Sequence, residues 1–360
     1  MTIKSPLLSR PAAVEASGPD AGVAAHYGEP LREQRALAAG TAVVDLSNRG
    51  VVTVSGPDRL SWLNTLSSQQ LTSLAPGQST ELLLLSVQGR IEFDARVVDD
   101  GATTWLIVEG AEAGPLAEWL NKMKFMLRVE IADVSADWAV LGSTHRVPEW
   151  SALQVWEDPW PHVGAGGYSY AVVGEDAHPG LERPWFEYLV PAAELVETVG
   201  ERALAGTLAS EALRIAAWRP RWGAETDDKT IPHELDLLRT AVHLAKGCYK
   251  GQETIARVHN LGHPPRRLVF LQLDGSQHTL PAAGSEVRAG DRKVGVVTSV
   301  AQHYEMGPVA LAVIKRSVAP ADVLTVVDGD EPYAAAQEVI VAPDAGQVVG
   351  RQTGFLRGTR

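Results

Sequence analysis

Short apolar runs separated by turn residues fill the first half of the chain, and this pattern predicts strands and helices in alternation. A helix is predicted to start at Pro57 and Asp58, because Leu60, Trp62, Leu63 and Leu66 recur at helical spacing and form one apolar face. A second helix is predicted over 112–126. Strands are predicted at 43–47, 51–54, 82–87, 91–98, 104–108, 129–131 and 138–141.

In the second half of the chain the residue pattern changes twice. Residues 149–184 are rich in Trp, Pro and Gly and predict only one strand, at 168–173. A strand at 185–190 and helices at 192–199 and 202–218 follow. Beyond Pro264 and Pro265, a series of short strands broken by Gly, Pro and Asp predicts a small closed barrel. Its predicted strands are 267–273, 286–288, 293–300 and 310–314.

The chain of 360 residues is longer than one hydrophobic core supports, so several domains are expected. We predict a flexible leader at 1–25, an α+β region of two units at 26–262, a barrel at 263–330 and a tail at 331–360 that ends in basic Arg357 and Arg360. No apolar run is long enough to span a bilayer, which predicts a cytoplasmic protein without membrane contact.

The net charge and the number of cysteines exclude some classes of function. A formal net charge of −12 argues against broad nucleic-acid binding, which needs a basic surface. The single cysteine excludes an internal disulfide and a metal cage of several cysteines from one chain. The sequence therefore predicts no metal site of its own, although Cys248 is able to share a cluster with ligands from another protein.

Cys248 lies between two lysines and two glycines, which makes it a candidate reactive thiolate. Neighbouring ammonium groups favour the ionised sulfur, and a helix starting at Gly251 would add its amide dipoles. The alternative is a small buried hydrophobic residue. Gly247 and Gly251 are expected to permit backbone angles or close approaches that a side chain would block, and Tyr249 to pack beneath the loop. The full motif consists of Lys246, Gly247, Cys248, Tyr249, Lys250, Gly251, Gln252 and Glu253.

This motif resembles the K-G-C-Y-x-G-Q-E string of the YgfZ family, relatives of the glycine-cleavage aminomethyltransferase. Other similar strings are 44–47, 54–58, 213–214, 223–225, 229–235 and 294–299. The resemblance implies a multidomain cloverleaf, two α+β units around a central tetrahydrofolate channel plus a C-terminal β-barrel. It also implies a role in assembly or repair of iron–sulfur clusters, with tRNA-modifying enzymes among the clients, and partnership with client enzymes or cluster assembly proteins.

The resemblance also implies two carboxyl groups for the folate, which is tetrahydrofolate or a one-carbon derivative of it. Glu187 lies in a string similar to F-E-L-Y-V-P, whose glutamate faces the pterin; alternatively, it lies on an edge strand and faces water. Asp94 stands where aminomethyltransferases have paired aspartates, but Phe93 replaces the first acid. This departure puts aminomethyl transfer in doubt. The alternative for Asp94 is a plain residue at a strand edge.

The anionic glutamyl tail of a folate calls for cations, for which Arg214, Arg221 and Lys124 are candidates; each alternatively forms a surface ion pair. In the transferases, a similar string, K-x-D-F-I-G-R-E, has an aspartate in place of Cys248. A thiolate there would bind a cluster edge, exchange with a disulfide, or trap a one-carbon electrophile.

Three functions remain open from the sequence. The first is a folate-dependent accessory factor for iron–sulfur proteins. The second is a one-carbon transferase or demethylase. The third is a folate-sensing interaction module in which Cys248 is structural.

Overall fold

The computed structural model describes residues 4–348, so the basic end of the predicted tail, with Arg357 and Arg360, lies outside the described residues. Most secondary structure is β-sheet. The strands are β1 Val14–Glu15, β2 Ala24–His26, β3 Ala42–Asp45, β4 Arg49–Ser55, β5 Ser79–Leu85, β6 Ile91–Asp99, β7 Thr103–Glu109, β8 Glu130–Asp133, β9 Trp138–Ser143, β10 Gln154–Glu157, β11 Phe186–Pro191, β12 Ala203–Ala205, β13 Arg266–Leu273, β14 Glu286–Ala289, β15 Arg292–His303, β16 Gly307–Lys315, β17 Leu324–Asp328 and β18 Glu331–Val339.

The helices are short and cover the faces of the sheets. They are α1 Pro30–Ala38, α2 Arg59–Leu66, α3 Ala113–Met123, α4 Leu195–Val199, α5 Thr207–Ala216 and α6 Gln252–Leu261. Among the described residues, no helix is both long and apolar enough to cross a membrane.

The first unit is an antiparallel sheet in the order β5-β6-β7-β4-β8. Trp62 and Leu63 of α2 and Leu116 and Leu120 of α3 pack into its buried face. The burial of Trp62 follows from the predicted apolar face of this helix. Burying each large apolar side chain stabilises the fold by about 1.5–3 kcal/mol.

The second unit is a sheet in the order β10-β11-β9-β3-β12, in which only the β12–β3 pair is parallel. Helices α1 and α5 cover one face through Leu37 and Leu213. The other face buries Leu7 together with Trp150 and Tyr188. Leu7 belongs to the segment predicted to be a flexible leader, so the structure differs from that prediction.

The third unit is a closed barrel with the strand order β13-β16-β15-β14-β17-β18. Its last strand lies within the segment predicted as a tail. Tyr333 and Ala335 of β18 point inward while Ala334 and Ala336 are exposed, which is the alternation of a half-buried strand. The sequence pattern missed this strand because alanine is a poor indicator of β structure.

Two further elements differ from the sequence prediction. Residues 168–173 form no strand and make only one isolated bridge, between Ala171 and Val341. The predicted helix at 202–218 is interrupted at its start, where β12 precedes α5. Gly206 separates the two elements and donates its backbone N–H to Glu33 at 2.9 Å, so the chain cannot continue one helix through this point.

A central core joins the three units. It contains apolar residues of the first sheet, of α5 and α6, and of the barrel, together with a long segment after α5 that has little regular structure. Leu235, Leu237 and Leu238 of this segment are each at most 1% exposed. Because this long connection is buried, its side chains have fixed positions. It leads directly into the cysteine motif.

Candidate functional site

The cysteine motif is a turn that leads into α6. Gly251 has a φ of 87° and lies at the N-terminal cap of this helix. A Cβ at this position would lie 2.6 Å from the carbonyl oxygen of Ser86, so only glycine fits. Gly247 differs, because a Cβ there would meet nothing within 4 Å. The expectation that Gly247 permits a close approach is therefore wrong.

The Cys248 thiol is free and exposed to solvent. Tyr249, the next residue, is buried in the central core, and Gln252 Nε2 donates to the Lys246 carbonyl at 3.2 Å across the turn. Glu253 is exposed on the first turn of α6. The exposed Cys248 thus lies between two buried residues of the motif, Lys246 and Tyr249.

Lys246 is a structural anchor. Its ammonium group donates to the backbone carbonyls of Asn64, Ser67 and Gln69, the last two at 2.7 and 2.8 Å. These carbonyls lie in and after the last turn of α2, where main-chain oxygens lack helical partners. Burial lowers the pKa of Lys246 to about 8. The motif is thereby tied to the first sheet unit.

Lys250 is engaged elsewhere as well, since its ammonium group lies 3.0 Å from the Glu92 carboxylate. The sequence expectation was that both lysines act on the sulfur. In the structure one ammonium is held by carbonyl oxygens and the other by a carboxylate.

A second group of candidate side chains lies between the three units, where a set of charged residues is buried or half-buried. We call it the central charge cluster. It consists of Arg49, Glu81, Asp94, Arg96, Glu109, Asp158, Arg183, Glu187, Glu211, Arg214, Arg219, Arg221 and Glu225.

Glu187 is 1% exposed and lies on β11, an interior strand of the second sheet. The alternative that it sits on an edge and faces water is thereby wrong. Its Oε1 accepts from Trp185 Nε1 at 3.1 Å and lies 3.4 Å from Arg96 Nε, while its Oε2 has no hydrogen-bond partner among residues 4–348. Burial alone would raise the pKa of Glu187, but Arg96 and Arg49 hold that pKa below its ordinary value.

A small cavity lies beside Glu187. Its volume is about 20 Å³, which is room for one water molecule. Arg96 and Trp185 line it, but Cys248 does not. An unpaired buried carboxylate oxygen is costly unless a donor reaches it. The cavity therefore marks a place where an N–H group of a ligand would be stabilised.

Arg214 and Arg221 are buried and enclosed by carboxylates. Arg214 lies 2.8 Å from Glu211 and 3.0 Å from Glu225. Arg221 lies 2.7 Å from both Asp20 and Glu109. Neither guanidinium is a surface ion pair, and neither is available to an incoming glutamyl tail unless an internal carboxylate leaves.

Lys124 directly follows α3, is half-buried and makes no ion pair among residues 4–348. Of the three predicted cations it is the one without an internal counterion. The structure therefore brings Glu187, Asp94, Arg214 and Arg221 together in the central charge cluster and leaves Lys124 and the cysteine motif outside it.

The sequence pattern did not single out Arg96, Arg49 or Glu81 as site residues. Arg96 follows Asp94 by two residues on β6, so both side chains point to the same face. A strand with two charged residues on its inward face was the available signal. Within the described residues, no group of three or more His, Cys, Asp or Glu side chains is placed to hold a metal ion.

Comparisons with known proteins agree with this architecture. The model of the GCVT N-terminal domain matches residues 24–143, and that of the glycine cleavage T-protein C-terminal barrel domain matches residues 266–343. The chain is 26% identical to an aminomethyltransferase of Corynebacterium aurimucosum over 310 residues, which cover 80% of this chain and 82% of that protein. It is 29% identical to an aminomethyltransferase of Nostoc sp. over 307 residues, 80% of each chain.

Among solved structures, the chain is similar to the glycine cleavage system aminomethyltransferase T from Bartonella henselae. The TM-score is 0.71 at 18% sequence identity, and the match covers 93% of this chain and 94% of the other. This likeness shows a shared fold of mixed α and β structure that ends in a closed six-stranded barrel.

Proposed function

We propose that this protein, which has both the N-terminal domain and the C-terminal barrel of glycine-cleavage T proteins, is a tetrahydrofolate-binding accessory factor for iron–sulfur enzymes. This is the role of the YgfZ family that its cysteine motif resembles. The observation that carries the proposal is Cys248, whose exposed sulfur is held by a loop anchored at three backbone carbonyls through Lys246.

The folate part of the proposal rests on Glu187. Its unpaired Oε2 suits the N–H donors of a 2-amino-4-oxo pterin, and Trp185 and Leu46 supply apolar contact beside it. The existing cavity is smaller than a bicyclic ring. Arg96 contacts Glu187 at 3.4 Å and Glu109 at 3.8 Å, which are long ion pairs, and movement of its side chain would enlarge the cavity. Folate binding would therefore displace Arg96.

The cysteine part rests on accessibility. A thiol exposed in the turn before α6 can meet a second protein, share a cluster edge or exchange with a disulfide there. Cys248 lies outside the lining of the Glu187 cavity. We therefore assign folate binding and client contact to separate surfaces of one protein.

The proposal is tested with Cys248→Ala in a strain that lacks the native protein. We expect the activity of cluster-containing enzymes to fall while tetrahydrofolate affinity, measured by calorimetry, stays within twofold, about 0.4 kcal/mol. Gly247→Ala is the matched control, because the added methyl meets nothing within 4 Å. Full cluster-enzyme activity with Cys248→Ala would refute the accessory role.

A one-carbon transferase or demethylase is the second candidate. It was doubted because Phe93 replaces one of two paired acids. Glu81 of the neighbouring strand lies on the same face as Asp94, however, and burial together with the charge of Glu81 raises the pKa of Asp94. Turnover of a methylamine or aminomethyl donor with tetrahydrofolate as acceptor, unaffected by Cys248→Ala, would favour this candidate.

A further inference from the structure

The end of α3 and the loop that follows it expose a cluster of apolar side chains. Phe125 is 87% exposed and Met126 is 84% exposed, and Met123 and Leu127 beside them are 45% and 43% exposed. The Phe125 backbone has a φ of 45°, a left-handed conformation that is unfavourable for a large side chain. Contiguous exposed apolar side chains mark contact sites with other molecules. We call residues 123–127 the apolar tip.

The apolar tip is fixed at its base. Arg128, the residue that follows it, donates from its backbone N–H and its guanidinium to the Asp58 carboxylate at 2.9, 3.0 and 2.6 Å. The Arg128 carbonyl oxygen packs against Gly56, where a Cβ would not fit. The tip is therefore held in one position while its apolar side chains remain in solvent.

A groove of about 520 Å³ lies beside the apolar tip, between α3 and β8. It is lined by Gly114, Ala117, Glu118, Asn121 and Lys122 of α3 and by Asp133 of β8. The helical positions recur after three and four residues, so they form one stripe along α3. This stripe extends about 12 Å, from Lys122 next to the tip to Gly114 at the other end. A Cβ at Gly114 would meet nothing within 4 Å, so the groove is open there.

From this arrangement we propose that two copies of this chain associate about a two-fold axis, with the apolar tip of each copy seated in the groove of the other. A two-fold contact uses the same surface on both copies, so that surface must be complementary to itself. A protruding tip at one end of a groove and an open space at the other end meet this requirement when the two grooves run antiparallel.

The charges on this surface are complementary in the same arrangement. Lys124 in the tip makes no ion pair within the described part of the chain, and neither does Asp133. Asp133 ends β8, about 10 Å along the strand from the residue that begins it beside the tip. With the grooves antiparallel, Lys124 of one copy therefore approaches Asp133 of the second copy. The Glu118–Lys122 pair within each copy is exposed and long, at 3.8 Å, so both groups remain free to turn toward the second copy.

Strand β8 offers a different contact, because it is an edge strand of the first sheet. If β8 paired antiparallel with β8 of a second copy along its full length, Glu130 would stand opposite Asp133. Both side chains are exposed acids, and like charges directly opposite each other destabilise such a pair. The tip and the groove are therefore favoured over the strand edge as the contact surface.

An anionic membrane is the other surface that accepts an apolar tip with a lysine. The formal net charge of −12 opposes that contact, since anionic lipids attract basic segments and repel an acidic protein. Binding to lipid vesicles is accordingly an outcome that counts against the proposal.

The proposed interface leaves Cys248 accessible. Strands β8 and β5 are the opposite edges of the first sheet, and the cysteine motif lies against the end of β5 through Gly251. A dimer of this kind would carry two exposed thiols, one on each copy. The inference depends neither on folate binding nor on the iron–sulfur role, and its test involves neither.

The test is sedimentation equilibrium of the full chain between about 1 and 100 µM. We expect a reversible dimer with a dissociation constant in the micromolar range, because only a few side chains of each copy take part. The double variant Phe125→Ser, Met126→Ser should be monomeric throughout this range. Val323→Ser, which removes an apolar side chain that is 81% exposed next to the barrel, is the matched control and should leave the dimer unchanged.

Two further variants test the groove and the charge pair. Gly114→Phe fills the open end of the groove without meeting a neighbour of its own chain, so it should abolish the dimer and leave the fold intact. Lys124→Glu should weaken the dimer by at least about tenfold, and adding Asp133→Lys should restore the affinity to within about threefold of the wild type.

A wild type that remains monomeric at about 100 µM would overturn the proposal, as would a dimer that persists in the Phe125→Ser, Met126→Ser variant. Vesicles of phosphatidylglycerol and phosphatidylcholine provide the remaining arm. A monomeric wild type that sediments with these vesicles, with binding lost in the same double variant, would assign the tip to a membrane and likewise overturn the proposal.

Discussion

Gly251 approaches Ser86 so closely that a Cβ at residue 251 would lie 2.6 Å from the Ser86 carbonyl oxygen. The motif that carries the exposed thiol is therefore seated against the end of β5. The close approach explains why this position needs glycine, independently of any reaction of the sulfur.

Gly251→Ala should destabilise the protein by at least about 2 kcal/mol, because the new methyl contacts backbone and the φ of 87° is unfavourable for alanine. Denaturant unfolding measures this change. Gly247→Ala, which adds the same methyl in open space, should change the free energy of unfolding by less than about 0.5 kcal/mol. Equal effects of the two substitutions would contradict this account of the motif.

Lys246→Met should also be costly, by about 3 kcal/mol, because it leaves the carbonyls of Asn64, Ser67 and Gln69 without their donor. Lys250→Met removes a lysine from the same loop, where the ion pair with Glu92 is solvent-exposed, and should cost less than about 1 kcal/mol. Thermal and denaturant unfolding of both variants checks the difference. A larger loss in Lys250→Met would show that Lys246 is not the anchor.

Glu187→Gln should weaken tetrahydrofolate binding by at least about tenfold, since it exchanges a charged acceptor for an amide. Isothermal calorimetry under anaerobic conditions measures the affinity. Glu157→Gln is the control, because Glu157 is an exposed acid on the adjacent strand β10. Unchanged affinity in Glu187→Gln, with a folded protein, would place the pterin elsewhere.

The raised pKa of Asp94 has a consequence for stability. A folded-state pKa of about 8, against an ordinary value of 3.8, means that its stabilising contribution is complete at acidic pH and is lost as the pH rises toward 8. Relative to Asp94→Asn, the wild type should lose up to about 1.4 kcal/mol per pH unit within that window.

Denaturant unfolding at several pH values tests this dependence. Asp100→Asn is a useful contrast, because hydrogen bonds from Trp105 and two backbone amides oppose burial and lower the pKa of Asp100. Its difference from the wild type should stay flat between about pH 5 and pH 8. A flat difference for Asp94→Asn as well would contradict the raised pKa.

Local patterns predicted the parts of the fold that depend on neighbouring residues. The start of α6 at Gly251 and the apolar face with Trp62 follow from short-range spacing and are confirmed. Residues 168–173 misled the prediction, because an aromatic and β-branched run resembles a strand even when it makes only one bridge.

The candidate site depended on contacts that spacing does not reveal. The register of β5 and β6 places Glu81 opposite Arg96 and on the same face as Asp94, and Arg221 pairs with an acid 201 residues away in the N-terminal segment, Asp20. The local sequence does not distinguish an arginine that is free to bind a ligand from one that already pairs with carboxylates of the same protein. Glu187 was predicted by resemblance, whereas its unpaired oxygen became visible only in the structure.

The pairing of the first and last strands of the barrel affects how the protein folds during synthesis. Strand β13 pairs with β18, and Arg267 and Gln337 in these strands are 70 residues apart. At translation rates of about 5–20 residues per second, Val269 and Leu271 would wait roughly 4–14 seconds on the ribosome before their partner strand emerges. During that interval an unpaired apolar strand edge is exposed and can associate wrongly. The yield of folded protein in a foreign host should therefore rise with the supply of ribosome-associated chaperones.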